Sequence, residues 1–334
     1  MVIELLESLE NSRTFSSIDL IISKFDKDKI ELDFSNLVRL INISANNSII
    51  IKALSTGCSI NNSTSKRRKF FYNKIDKLLS EKEKLDENTI NNLNKLYNVA
   101  YLGLLKCNQQ ENEIYLYHAN SLTTSLAFIS SKKLFSREYG ELQKLPQTPQ
   151  NSDKLDKRYK IYNDIFFDNS DIAARLLSVY GPITFVFKAN YLLNSSSEIK
   201  ISKENPQHWE KKGLYKLSDQ YFTSLNELIS RFEGSSSFNF SNNFAHHTIF
   251  KNCPFIELSE LNLEKILIEN HKNVSTMNIS QLKNTSEQIK KKIEDALENV
   301  GLSNIIVEVR KVKNEKKTKP IKYATNVKEL WSEN

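Results

Sequence analysis

The chain has 334 residues, 39% of them hydrophobic and 26% charged, which suffices for one large domain or two ordinary ones and excludes global disorder. No run of eighteen apolar residues occurs, and the opening MVIELLESLENSR carries acids where a signal peptide needs a basic and then an apolar region, so a cytoplasmic protein with no membrane partner is expected. The formal charge of +7 favours an anionic partner such as nucleic acid.

Residues 1–110 read as helical. Phe34, Leu37, Leu40 and Ile41 fall at helical spacing, and Phe70, Phe71, Ile75, Leu78 and Leu79 form one stripe between Thr64 and Leu85. After a polar break at Asp86-Glu87-Asn88, Ile90, Leu93, Leu96, Ala100 and Leu104 mark a further amphipathic helix. From Glu113 the pattern changes. Ile114, Leu116, Tyr117 and His118 predict a strand, Leu122 to Leu134 a helix, and the polar stretch 137–160 a long loop. Asp171 to Leu177 predicts a helix broken by Gly181-Pro182, and Ile183 to Phe187 a central strand. Gln220 to Phe232 follows as a helix, Gly234 to Asn243 as a Ser/Asn-rich loop, and His247–Phe250 and Leu263–Ile268 as strands. An amphipathic helix at Ser286–Val300 is closed by Gly301, and Ile305–Val309 forms the last strand. Lys311 to Lys322 is a basic run, and Val327–Trp331 a short terminal turn that docks.

Several groups carry potential chemistry. A His at a strand end beside a helix start can donate a ring N–H to a ribose hydroxyl, and a neighbouring Tyr can stack on a flat heterocycle, which singles out Tyr117-His118; alone, such a dipeptide is more often a partly buried His with one backbone hydrogen bond. In Tyr162-Asn163-Asp164-Ile165-Phe166-Phe167-Asp168-Asn169-Ser170-Asp171, three acids flank an aromatic wedge. Asp168 or Asp171 could pair Arg158 or Arg175, or Asp171 could cap the following helix. Lys66, Arg67, Arg68 and Lys69 precede Phe70-Phe71 and are candidates for tracking a phosphate backbone, as are Lys290–Lys292 and the basic run; a solvated helix face is the commoner explanation for each singly. Cys58, Cys107 and Cys253 have no paired spacing, so neither a zinc ribbon nor a disulfide framework is expected. His246 and His247 are adjacent and would point to opposite faces of a strand, which argues against one shared metal. No Gly-rich phosphate loop or serine-hydrolase elbow occurs.

The order strand-Tyr-His, helix, Leu134-Phe135-Ser136, the charged stretch Ser152–Arg158, then Tyr180-Gly181-Pro182 leading into Ile183-Thr184-Phe185, resembles the ADP-ribosyltransferase fold, and within it the DarT-like toxins that modify nucleic acid using NAD. The resemblance spans roughly residues 113–310. It implies an α+β protein with an ADP-ribosyltransferase-like mixed β core at 111–312, a helical accessory module at 1–110 and a basic flexible tail at 313–334. It also implies NAD as the cosubstrate, with Tyr117, His118, Ser136, Arg158 and Tyr180 holding it, His118 on the nicotinamide ribose and Arg158 on the phosphates. DNA or RNA would be the acceptor, and an antitoxin or chaperone a restraining partner in a toxin–antitoxin or phage-defence setting. Where that family carries a catalytic Glu, this chain has His247. Three readings follow: His247 acts in altered form as a general base; the acid comes from Asp164, Asp168 or Glu257; or the chain is a non-catalytic relative with a binding role. The catalytic candidates are therefore His118, His247 and Asp168. A metal-dependent nuclease built on Asp164, Asp168, Glu257 and Lys265 is the alternative from a different class.

Overall fold

Helices of the N-terminal region start where the sequence offers a cap. Thr14, Asp33, Asn47 and Asp86 each accept a backbone N–H from the first turn of the helices Phe15–Lys27, Phe34–Asn46, Ser48–Ser55 and Glu87–Gln109. The computed structural model describes residues 1–56, 62–150, 152–171, 180–233, 247–271, 282–310 and 327–333. Among them the chain forms two units, one of Met1–Ile114, Ala189–Ile199 and Tyr221–Asn243, the other of Tyr115–Lys188, Lys200–Gln220 and Phe244–Asn334. The helical unit thus extends beyond the expected 1–110. It takes in two later excursions of the chain.

The first unit buries the expected stripes: Leu37, Leu40 and Ile41 on one helix, Phe71, Ile75 and Leu78 on Asn62–Leu79, and Leu93, Leu96, Ala100 and Leu104 on Glu87–Gln109. Gly103 lets that last helix press against Ser48–Ser55, since a Cβ there would lie 2.0 Å from the Leu54 carbonyl oxygen. The later excursions are tied in by polar contacts. Asp76 accepts the backbone N–H groups of Leu225 and Asn226 at the start of the helix Leu225–Glu233 (2.7 and 2.9 Å), and the Asn98 amide donates to the carbonyls of Ser195 and Ser197.

Two expectations fail in this unit. Arg67 and Arg68 are buried, not displayed to a phosphate backbone: Arg67 pairs with Asp19 (2.6 Å) and lies over the Phe15 ring, while Arg68 donates to the Thr56 carbonyl and to Cys107 Sγ. Only Lys66 and Lys69 of that run are exposed. Cys107 is disulfide-bonded and Cys253 is free. Separation along the chain is a weak guide here, because loop-closure entropy grows only slowly with length.

The second unit is built on strands β1 (Tyr115–Asn120), β2 (Lys133–Phe135), β3 (Ile165–Asp168), β4 (Ile183–Lys188), β5 (Ile199–Ile201), β6 (His247–Phe250), β7 (Phe255–Glu257), β8 (Leu263–Ile268) and β9 (Ile306–Val309). Seven of them form a sheet in the order β5-β6-β3-β1-β4-β8-β9, and β2 and β7 pair separately. The pairs β1–β3, β1–β4, β2–β7, β3–β6 and β4–β8 are antiparallel, and β8 and β9 run parallel, joined through the helix Ser286–Asn299. This is a mixed, mostly antiparallel α+β arrangement. Phe167, Phe185, Phe187 and Phe250 are fully buried in the sheet, and Phe128 from the helix Leu122–Ser131 meets Phe185 edge-on at 5.8 Å. Ser121 caps that helix, and Thr285 caps Ser286–Asn299 with a capping box to Gln288. At the C-terminus Leu330 and Trp331 are buried, and Thr123 and Asn284 donate to the Ser332 and Trp331 carbonyls, so the terminal turn docks as expected.

The structure departs from the sequence reading at several elements. Lys133–Phe135 is a strand and not a helix end, stretch 137–160 contains the short helices Arg137–Leu142 and Asp153–Arg158, and β3 and β5 were not expected as strands. Residues 172–177 of the expected helix at Asp171–Leu177, the loop Gly234–Asn243 and the run Lys311–Lys322 lie outside the described residues. No helix among the described residues is long and apolar enough to cross a membrane.

Candidate active site

Pairing register brings the site together. Tyr117 on β1 is opposite Asp168 on β3, and Asp168 is opposite His247 on β6, so the three side chains share one face across three neighbouring strands. His118 Nδ1–H donates to the Phe166 carbonyl of β3 at 2.8 Å. Asn120 Oδ1 accepts the Ser121 N–H at 3.1 Å, which turns its Nδ2 toward His118 Nε2 at 3.2 Å. Carbonyl and amide together hold the ring as the neutral Nδ1–H tautomer. Burial lowers the His118 pKa, outweighing the opposing effects of the Phe166 hydrogen bond and the Asp168 charge.

His247 has a different partner set. Its Nδ1 lies 2.9 Å from Asp168 Oδ1, its main chain is clamped by reciprocal bonds with Ser202, and its Nε2 is buried without a hydrogen-bond partner. With 7% of its surface exposed, the ring is held in place. His247 lines a cleft with about 870 Å³ of atom-free space counting its mouth, together with Tyr117, His118, Asp156, Asp168 and Tyr180 among others. The part of it open to a water-sized sphere is about 110 Å³. A carboxylate on Nδ1 and an unpartnered Nε2, on a residue that lines the cleft, are the elements of an oriented general base.

Most of the residues singled out from the sequence line this cleft: His118, His247, Asp168, Tyr117, Ser136 and Tyr180. Ser136 is engaged as the cap of Arg137–Leu142, donating to Asn163 Oδ1 and accepting the Tyr139 N–H. The Tyr180 hydroxyl accepts from Gln207 at 2.8 Å, and burial, with Asp168 and Asp156 nearby, raises its pKa. Asp164 lines the cleft but is committed to Lys251 Nζ and the Asn252 N–H, so it holds the β6–β7 turn.

Other expectations are corrected. Arg158 is not among the lining residues; it is exposed and pairs with Glu210. Arg137 lines the cleft instead, its fork closed on Asp153 (2.9 and 3.2 Å) and its Nη1 buried without a partner. Asp168 pairs with His247 rather than with Arg158, and Asp171 pairs with Arg310 (2.6 Å). The acids of the nuclease alternative do not converge: Glu257 is an exposed residue of β7 opposite Lys133, and Lys265 pairs with Glu308. Among the described residues no group of three or more His, Cys, Asp or Glu side chains is gathered to hold a metal ion.

Asp156 was not singled out from the sequence. It is half-buried on the cleft wall, and burial, reinforced by the charges of Asp153 and Asp164, pushes its pKa up to about 7 against the opposing Ser152 hydrogen bond and Arg137 charge. Comparison with protein families, curated proteins and solved structures finds no match to this chain.

Proposed function

We propose that this protein is an NAD-dependent ADP-ribosyltransferase whose acceptor is a nucleic-acid base, with the Asp168–His247 pair as its general base. The single observation that carries the reading is the meeting of His118 and the Asp168–His247 pair in the lining of one cleft. His247 Nε2 takes the proton of the acceptor, and Asp168 keeps the imidazole in the Nδ1–H tautomer and stabilises the imidazolium that forms. NAD supplies the bond that breaks, between ribose C1′ and the nicotinamide nitrogen; its electron pair leaves with nicotinamide, and C1′ bonds to the acceptor. His118 has its N–H committed to Phe166, so toward a ribose it acts as an acceptor at Nε2 in place of the Asn120 amide. The partnerless Arg137 Nη1 suits a phosphate oxygen, in the role the family resemblance gave to Arg158. The aromatic faces of Tyr117, Phe166 and Tyr180 suit the flat rings. The net charge of +7 supports a nucleic-acid acceptor, and a restraining antitoxin belongs to the same reading.

The test is incubation with adenylate-labelled NAD and DNA, RNA or cell lysate, following free nicotinamide and label. Label on nucleic acid, lost in His247→Ala, is the expected result. Absence of nicotinamide release with every acceptor, or equal release by His247→Ala, overturns it.

A further inference from the structure

The cleft is acidic in a chain that is basic overall. Its lining carries the carboxyls of Asp156, Asp164 and Asp168 against one guanidinium, that of Arg137, while the chain's net charge is +7. Two of these four charges meet an opposite charge and a third accepts a hydrogen bond. Arg137 is closed on Asp153 and Asp164 on Lys251, while Asp168 lies against His247 Nδ1. Asp156 has the Ser152 hydroxyl as a hydrogen-bond partner, and among the described residues no cation lies within ion-pair distance of it. The titratable and charged groups around it are Asp153 on its own helix, Arg137 on the preceding one, Asp164 ahead of β3, and Tyr180. A half-buried carboxyl without an ion-pair partner among the described residues, in the cleft that His247 also lines, is a place where a ligand's cation can be met.

We infer that Asp156 is the carboxylate that meets the cationic end of the bound ligand, which under the proposed function, on which this assignment rests, is the pyridinium of NAD and the ribose carbon joined to it. Two consequences follow. Without ligand, burial holds a proton on Asp156 up to about pH 7. An arriving cation favours the ionised form, so binding below that pH expels the proton. Ionised, the side chain also stabilises the positive charge that grows on the ribose as nicotinamide departs.

Calorimetric titration at pH 6, in two buffers of different ionisation enthalpy and without acceptor, reads the proton directly. NAD is expected to release most of one proton. ADP-ribose, which lacks the cationic ring, is expected to release much less. Asp156→Asn abolishes the NAD-linked release and weakens NAD at pH 8 by at least about 10-fold while leaving ADP-ribose nearly unchanged. Asp156→Glu restores the release, which separates loss of the carboxyl from damage to the fold. Equal proton release with NAD and ADP-ribose, or release that survives in Asp156→Asn, overturns the assignment while NAD binding stands. An absence of NAD binding at every pH overturns the proposed function and this assignment with it.

Discussion

The two imidazoles of the cleft differ in what their nitrogens are given. His118 has both ring nitrogens engaged, by a carbonyl and an amide, whereas His247 has a carboxylate on Nδ1 and no partner on Nε2. Asp168 therefore sets the tautomer on which the proposed proton transfer depends. In Asp168→Asn the amide can turn its NH₂ to Nδ1 and drive the proton onto Nε2. Nicotinamide release and label transfer are expected to fall by about 10²–10⁴-fold, with the melting temperature within a few degrees of wild type; a fall below about threefold would show that His247 does not act through Asp168. The sequence singles out His118 as a His at a strand end, His247 through the family resemblance and Asp168 through the acids flanking an aromatic wedge. It does not name Asp156, because a stretch rich in Lys and Asp with prolines before it carries no apolar periodicity. Within the helix Asp153–Arg158, residues two apart point about 200° away from each other, so a chain that turns Asp156 into the cleft turns Arg158 out toward Glu210. The same arithmetic explains the basic run. Arg67 lies three and four residues before Phe70 and Phe71, and Arg68 lies likewise before Phe71 and Tyr72, so both fall on the buried stripe of their helix.

At the level of elements, the bend Tyr180-Gly181-Pro182 controls how β4 enters the sheet beside β1. Gly181 has φ of +142°, and a Cβ there would lie 2.2 Å from the Asn120 carbonyl oxygen. Asn120 in turn holds His118 Nε2. Gly181→Ala is expected to cost at least about 2 kcal/mol, measured as the denaturant midpoint at unchanged slope, and to lower transfer activity as well. An alanine variant as stable as wild type would mean that the bend relaxes freely. Long periodic helices and the β-branched or aromatic strands β4, β6 and β8 are legible in the sequence because each satisfies one period throughout. Strands β2 and β5 have three residues each, and β3 is a four-residue strand whose Phe166-Phe167-Asp168 reads as a wedge in a loop. What makes them strands is the partner, and a partner distant in the chain leaves no local trace.

For the whole molecule, the sequence conveys a helical region followed by a mixed sheet, but not that the chain returns to the helical unit twice. The returning segments look like ordinary connections, and the contacts that recruit them come from single polar side chains such as Asp76, Asn94 and Asn98. A fragment of residues 1–114 lacks the helix Leu225–Glu233 and the segment Ala189–Ile199, and leaves Asn98 without its carbonyl partners. It is expected to melt at least about 10 °C below the same helices in the intact chain, followed by circular dichroism; a fragment with the full melting temperature would show that the excursions add nothing. The threading also bears on synthesis. Helices that leave the ribosome first must wait for Leu225 and its neighbours before their last apolar surface is covered, a delay on the order of ten seconds at about 5–20 residues per second. During that interval the nascent chain presents an unfinished hydrophobic face, so its earliest segments, and not the sheet, are the natural clients of a ribosome-associated chaperone.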